Sequence, residues 1–176
     1  IIEQVEDNLS LKNVPESLNP KNLHTVAFLP ILGASIKIGR VDLLRRCAEF
    51  VKKSPLVKEV YILTDSQAIA KQVKRWGVKS IMRPKALSTA EKTIEDVLKF
   101  GLENLIRKGD TPDAILFFNY QFPFRPAQII ETLLHDLLHK GVDSVIPGTP
   151  EYGAFWVEDG SAFKRIDEGF TSRERK

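Results

Sequence analysis

The stretch Val60 to Pro84, VYILTDSQAIAKQVKRWGVKSIMRP, limits the fold more than any other part of the chain. An apolar run ends in Thr64-Asp65-Ser66, a combination that shapes turns and caps helices because its short polar side chains accept from nearby backbone amides. Gln67 to Trp76 then reads as an amphipathic helix, Gly77 is placed for a left-handed helix end, and a second apolar run closes at Arg83-Pro84. Strand, helix and strand in this order form a βαβ unit. Its strands are parallel and its crossover right-handed, so the rest of the domain must supply helices to cover both faces of a sheet.

The neighbouring sequence supplies them. Strands are expected at Val26–Leu29, Glu59–Leu63, Val78–Met82, Ala114–Phe118 and Asp143–Ile146, and helices at about Val41–Lys52, Gln67–Trp76, Thr93–Ile106 and Ala127–His139. Gly141 is a second helix-ending glycine, and Thr93 or Ser88 can cap the long helix, with Glu95 and Asp96 favourably placed in its first turn. The fold class is α/β: a Rossmann-like, three-layer α/β/α domain with a mainly parallel sheet. Residues 1–24, with Pro15 and Pro20 among polar side chains, read as an N-terminal arm or linker in which Ile2, Val5 and Leu9 suit one short amphipathic helix. Residues 25–176 form the domain. The only methionine is Met82 and the chain closes on the charged run Arg173–Lys176, so a C-terminally incomplete domain of a longer polypeptide is expected.

Composition excludes several classes. A net charge of +3 suits a phosphate-bearing ligand, but the lysines and arginines are scattered, which argues against nucleic acid. The single cysteine, Cys47, excludes an intrachain disulfide, and no apolar run approaches the roughly 20 residues that cross a bilayer. A cytoplasmic protein with no membrane partner is the expectation. The histidines of His135-Asp136-Leu137-Leu138-His139 share a helix face, yet Asp stands where a zinc protease needs Glu and no third ligand is in view, so zinc is rejected.

Ligands of open α/β sheets bind beyond the carboxyl ends of the strands. Four loops qualify: Pro30–Arg40, Thr64–Ser66, Met82–Thr93 and Asn119–Arg125. The first holds Gly33, Ser35, Lys37, Gly39 and Arg40, where small residues allow close backbone approach to phosphate and the cations supply charge. It lacks the Gly-Lys-Ser/Thr ending of a Walker loop. In the last, Asn119 and Gln121 suit a base edge or sugar hydroxyls, and Arg125 suits a carboxylate or phosphate. The plain alternatives are a polar strand end, a helix start with Pro126 in the first turn, and a solvated Arg83.

The punctuation of Val60–Pro84 resembles the sugar-nucleotide cytidylyltransferases that make CMP-sialic acid and CMP-KDO, in which a strand ending in TDS, a helix, Gly and a strand ending in RP follow the nucleotide loop. Val142-Asp143-Ser144-Val145 is similar to their ADSVV, and Asn119–Arg125 to their QPTSPLR, with Pro123 and Arg125 retained. Against their loop ARGGSKGIPRKN, Pro30, Gly33 and Ser35 keep their places, while Leu32 stands for the arginine, Ala34 for the second glycine and Ile36 for the lysine, one residue before Lys37.

The resemblance implies transfer of CMP from CTP to an acidic sugar. Lys37 and Arg40 would be catalytic, Gly33, Ser35, Arg83, Thr93 and Asn119 nucleotide-binding, and Gln121 and Arg125 substrate-binding. It also implies Mg²⁺, held by aspartates beyond an RRQ-like segment that Ser172-Arg173-Glu174-Arg175 echoes, and a homodimer. Two alternatives stand beside it: a degenerate relative that binds a nucleotide or partner without catalysis, and a glycosyltransferase of related fold, whose usual Asp-x-Asp is absent from Phe118-Asn119-Tyr120.

Overall fold

The computed structural model describes residues 18–89, 92–149, 155–160 and 162–166. The helix read at Ile2–Leu9 and the segment Ser172–Arg175 lie outside them. The chain divides into two compact units, Ile1–Val145 and Ile146–Lys176.

The first unit is built on four parallel strands, β1 (Thr25–Ile31), β4 (Glu59–Thr64), β5 (Lys79–Met82) and β6 (Ala114–Phe117), in the order β5-β4-β1-β6. Strand residues alternate between two cores, as the two-residue period of a strand requires. Ala27, Leu29, Val60, Ile62, Ala114 and Leu116 face a core shared with helices α1 (Leu43–Lys52), α2 (Gln67–Lys74) and α4 (Ile129–Lys140), while Val26, Phe28, Tyr61, Leu63 and Ile81 face α3 (Ile94–Ile106). This is the three-layer arrangement expected. A 3₁₀ turn, Pro20–Asn22, leads into β1, where the His24 amide donates to Asp113 at 2.8 Å.

Local chemistry sets the helix ends. Ser66 caps α2 by accepting from the Ile69 amide, and Thr93 and Asp96 form a reciprocal capping box on α3. Gly77 and Gly141 take left-handed backbone, at φ 66° and 59°, where each helix has to stop. The apolar faces of α1 and α2 bury Cys47 and Val73 against the sheet, and burial pushes the Cys47 thiol up to about 11, with Arg125 opposing.

Two expectations change. Helix α1 begins at Leu43 rather than Val41, because β2 (Lys37–Ile38) and β3 (Val41–Asp42) pair as a small antiparallel hairpin and Asp42 serves as the helix cap. Its two-residue turn has Gly39 at φ 59° in the first position, which fits the twist of a hairpin. Residues Asp143–Ile146 form no strand: Val142 is 41% exposed and Ile146 86%, and Asp143, Ser144 and the donorless Pro147 favour turns over a ladder.

The second unit contains an antiparallel hairpin, β7 (Trp156–Asp159) and β8 (Ala162–Arg165), turned at Gly160 with φ 65°. The sequence reading held no strand there.

Helix α3 approaches the sheet through Gly101. A Cβ there would sit 3.0 Å from Phe28 and 3.1 Å from Leu63, both fully buried. Gly101→Val should therefore destabilise the fold by about 2 kcal/mol or more through overpacking. Lys99→Val, on the exposed side of the same helix, carries the β-branch cost alone and should stay within about 0.7 kcal/mol in urea denaturation.

Candidate functional site

Parallel strands send all their carboxyl ends to one edge, and the register keeps the ends level: Ile31 pairs with Thr64, and Thr64 with Met82. Three of the four candidate loops leave this edge from β1, β4 and β5. The fourth, Asn119–Arg125, leaves from β6, the neighbour of β1, and the Phe118 amide extends that pairing with a 3.0 Å bond to the Phe28 carbonyl.

The first loop is held at both ends by carboxylates. The Gly33 amide, on backbone of φ 70°, donates to Asp65 Oδ1 at 3.1 Å. Ser35 Oγ donates to Asp42 Oδ1 at 2.7 Å, and that same oxygen accepts from the Arg45 amide at 3.0 Å. Asp42 Oδ2 accepts from Gln72 Nε2 at 3.3 Å, which ties α2 to the hairpin. Lys37 and Arg40 differ: both are exposed, and their side chains have no hydrogen-bond or ion-pair partner among the described residues. Around them Leu32, Ile36, Ile38 and Val41 are exposed apolar side chains.

Arg83 is buried, 9% exposed, beneath this loop. Its Nη2 donates to the Ile31 carbonyl at 2.8 Å and its amide to the Thr64 carbonyl at 2.7 Å. Burial pulls its guanidinium below the ordinary arginine value while the nearby Asp65 carboxylate pushes back. Its Nε is buried without a partner among the described residues, so one donor of a cation stands unused at the carboxyl edge. The solvated arginine of the plain alternative is thus excluded.

In the β6 loop, Asn119 Oδ1 accepts from the Gln121 amide at 3.1 Å, a local turn that shapes the strand end. Arg125 folds back: its Nη2 donates to the Asn119 carbonyl, and its guanidinium carbon lies 5.4 Å from the centre of the Phe118 ring. Gln121 is exposed, as are Phe122 and Phe124. Tyr120 is buried, its hydroxyl pushed up chiefly by burial, with Gln121 opposing and Asp42 adding to the shift. Thr93 spends its hydroxyl on the α3 cap.

Gly33, Ser35 and Arg83, with Asp65, thus gather at one end of the sheet, while Thr93 and Arg125 carry structural bonds of their own. Sequence reasoning passed over Asp42, Gln72 and Tyr120. The signal for Asp42 was available, since an aspartate directly before Leu43-Leu44 is a helix-start pattern.

Magnesium in nucleotide sites is held by one or two carboxylates together with substrate phosphates. Asp65 and Asp42 are carboxylates at this edge, and each already accepts from the loop or the helix. Among the described residues no three His, Cys, Asp or Glu side chains gather, and the His135 and His139 rings stack 3.9 Å apart rather than converge on a point. The Cys47 thiol, at about 11, stays neutral at neutral pH and is no nucleophile.

A family model described as Cytidylyltransferase matches residues 35–163, from the loop serine to the last hairpin. The chain belongs to the cytidylyltransferase family. Solved structures agree in fold: a 4-diphosphocytidyl-2C-methyl-D-erythritol synthase matches at TM-score 0.66 and 14% identity, over 83% of this chain and 69% of that one. The corresponding synthase from Anaerococcus prevotii DSM 20548 matches at 0.61 and 14%, over 87% and 71%. A CMP:2-keto-3-deoxy-manno-octonic acid synthetase complexed with CTP matches at 0.55 and 19%, over 67% of this chain and 48% of that one. The chain therefore spans about half the length of that synthetase. A search of curated proteins finds no match. Among the described residues of this family member, no helix is long and apolar enough to cross a membrane.

The geometry separates the two kinds of cation in this family member. Arg83→Met keeps bulk but removes a buried charged donor, and should cost about 1.5–3 kcal/mol of stability in urea denaturation. Lys37→Ala removes an exposed, unpartnered charge and should stay within about 0.5 kcal/mol.

Proposed function

We propose that this chain binds a cytidine nucleotide at the carboxyl edge of its sheet and transfers the CMP group to a hydroxyl of an acidic sugar. One observation carries the reading. At the end of β1 the loop residues Gly33 and Ser35 lie with Asp65 from the end of β4 and the buried Arg83 from the end of β5, and the same loop bears Lys37 and Arg40, whose side chains have no partner among the described residues. Those two free cations are suited to the triphosphate, Arg83 and Thr93 to the nucleotide, and Asn119, Gln121 and Arg125 to the base or the sugar. The sugar hydroxyl attacks the α-phosphorus, the bond to the β-phosphate oxygen breaks, and pyrophosphate leaves. Positioning and charge stabilisation supply the rate in such a transfer. Mg²⁺ carried in on the triphosphate would neutralise charge on the leaving group.

A second reading, binding without transfer, is favoured by a different observation. The Gly33 amide and the Ser35 hydroxyl are already occupied by carboxylates of the same chain, and Leu32 and Ile36 are exposed, uncharged side chains beside them. Each missing charge-assisted phosphate contact is worth about 1.5–3 kcal/mol, and about 1.4 kcal/mol is tenfold in rate.

Calorimetric titration should give CTP and CDP at least about tenfold tighter than ATP and GTP, a difference of about 1.4 kcal/mol. Equal affinity for all four nucleotides reduces the site to a general phosphate binder. A pyrophosphate-release assay with Mg²⁺, CTP and a panel of acidic sugars should show turnover well below the enzyme median of about 10 per second. Sugar-dependent release that Lys37→Ala abolishes supports transfer. Cytidine-selective binding with no release supports the second reading.

A further inference from the structure

Asp42 stands where three segments of the first unit meet. One oxygen of its carboxylate accepts from Ser35 Oγ in the first loop at 2.7 Å and from the Arg45 amide at the start of α1 at 3.0 Å. The other accepts from Gln72 Nε2 on α2 at 3.3 Å. Its charge is also felt by the buried Tyr120 hydroxyl of the β6 loop. A helix cap needs only the bond to Arg45, so the other two contacts exceed what capping requires. The loop has few other ties: the Gly33 amide to Asp65, the Ile36 carbonyl to the Leu43 amide, and the short ladder of β2 and β3.

We infer that Asp42 is a positioning residue for the phosphate loop, holding residues 33–40 against α1 and α2 so that Lys37 and Arg40 face one ligand. It acts through Ser35 and Gln72 and does not itself touch nucleotide. A half-buried carboxylate bonded on both oxygens is well suited to this, because each bond it accepts fixes a different element to the same point. The part of the inference that concerns nucleotide affinity rests on the function proposed above. The part that concerns loop order does not.

The test uses the full chain with Asp42→Ala, Gln72→Ala and the double variant. Hydrogen exchange of the amides of residues 34–38 reads loop order without any ligand, and calorimetry with CTP reads its consequence. Asp42→Ala should speed exchange in the loop about tenfold and weaken CTP about tenfold, the scale of one or two lost hydrogen bonds. Gln72→Ala leaves both helix caps intact, so its smaller change, about threefold in the same direction, reports the link alone. The double variant should be no worse than Asp42→Ala, since both act through one carboxylate.

Unchanged loop exchange in Gln72→Ala, or additive effects in the double variant, would reduce Asp42 to a helix cap. CTP binding equally well to the parent chain and to Asp42→Ala would overturn its role in the site. If CTP binds none of these proteins while exchange follows the expected pattern, the positioning role stands and the functional reading alone falls.

Discussion

Strand β1 is the constraint on which the rest of this structure depends. It is paired on both sides by parallel neighbours, and six of its seven residues are buried. A parallel partner cannot be reached by a tight turn, so every connection from β1 has to climb over a face of the sheet and return. That requirement places α1, α2 and α4 on one face and α3 on the other. It also gathers the loops after β1, β4, β5 and β6 at a single edge. The site follows from the topology before any side chain in it is considered.

At that edge the electrostatics are divided. Two carboxylates, Asp65 and Asp42, accept the loop's own donors at Gly33 and Ser35, while the cations Lys37 and Arg40 have no side-chain partner among the described residues. Arg83 is a third kind of charge, buried and bonded to the Ile31 carbonyl, with one donor, Nε, left without a partner among the described residues. A triphosphate entering here would meet a loop already ordered by internal anions. This lowers the ordering cost of binding but adds negative charge near the ligand. The two readings of function differ in which of these effects wins, because the exposed Leu32 and Ile36 contribute no charge to either side.

Much of this was legible from the residues alone. The TDS turn, Gly77, the Thr93 cap and Gly141 are local devices, and a local device needs no tertiary information to be recognised. The elements they bound were therefore read close to where they lie, as was the α/β class. The strand expected at Asp143–Ile146 failed because an apolar run shows only that a segment can pair, not that an unpaired edge awaits it. The β2–β3 hairpin was missed for the opposite reason: two residues per strand are too few to show any period, and Ile38 read as part of a loop and Val41 as the first residue of a helix.

The site shows the same boundary. Its residue types, Gly33, Lys37, Arg40, Arg83 and Arg125, are visible in the chain, because chemistry that suits phosphate is carried by side-chain identity. Their roles are not. Arg83 reads as a solvated or ligand-reaching cation until packing places it under Ile31, and Arg125 reads as free until it turns back onto Asn119 and Phe118. Asp42 drew no notice as one polar residue among many, yet it joins Ser35 to Gln72 across 37 positions of sequence. Periodicity, caps and composition act between residues a few places apart, so the sequence by itself determined the elements and the fold class. Which donors are spent and which remain for a ligand depends on contacts between distant segments, and only the tertiary structure decided that.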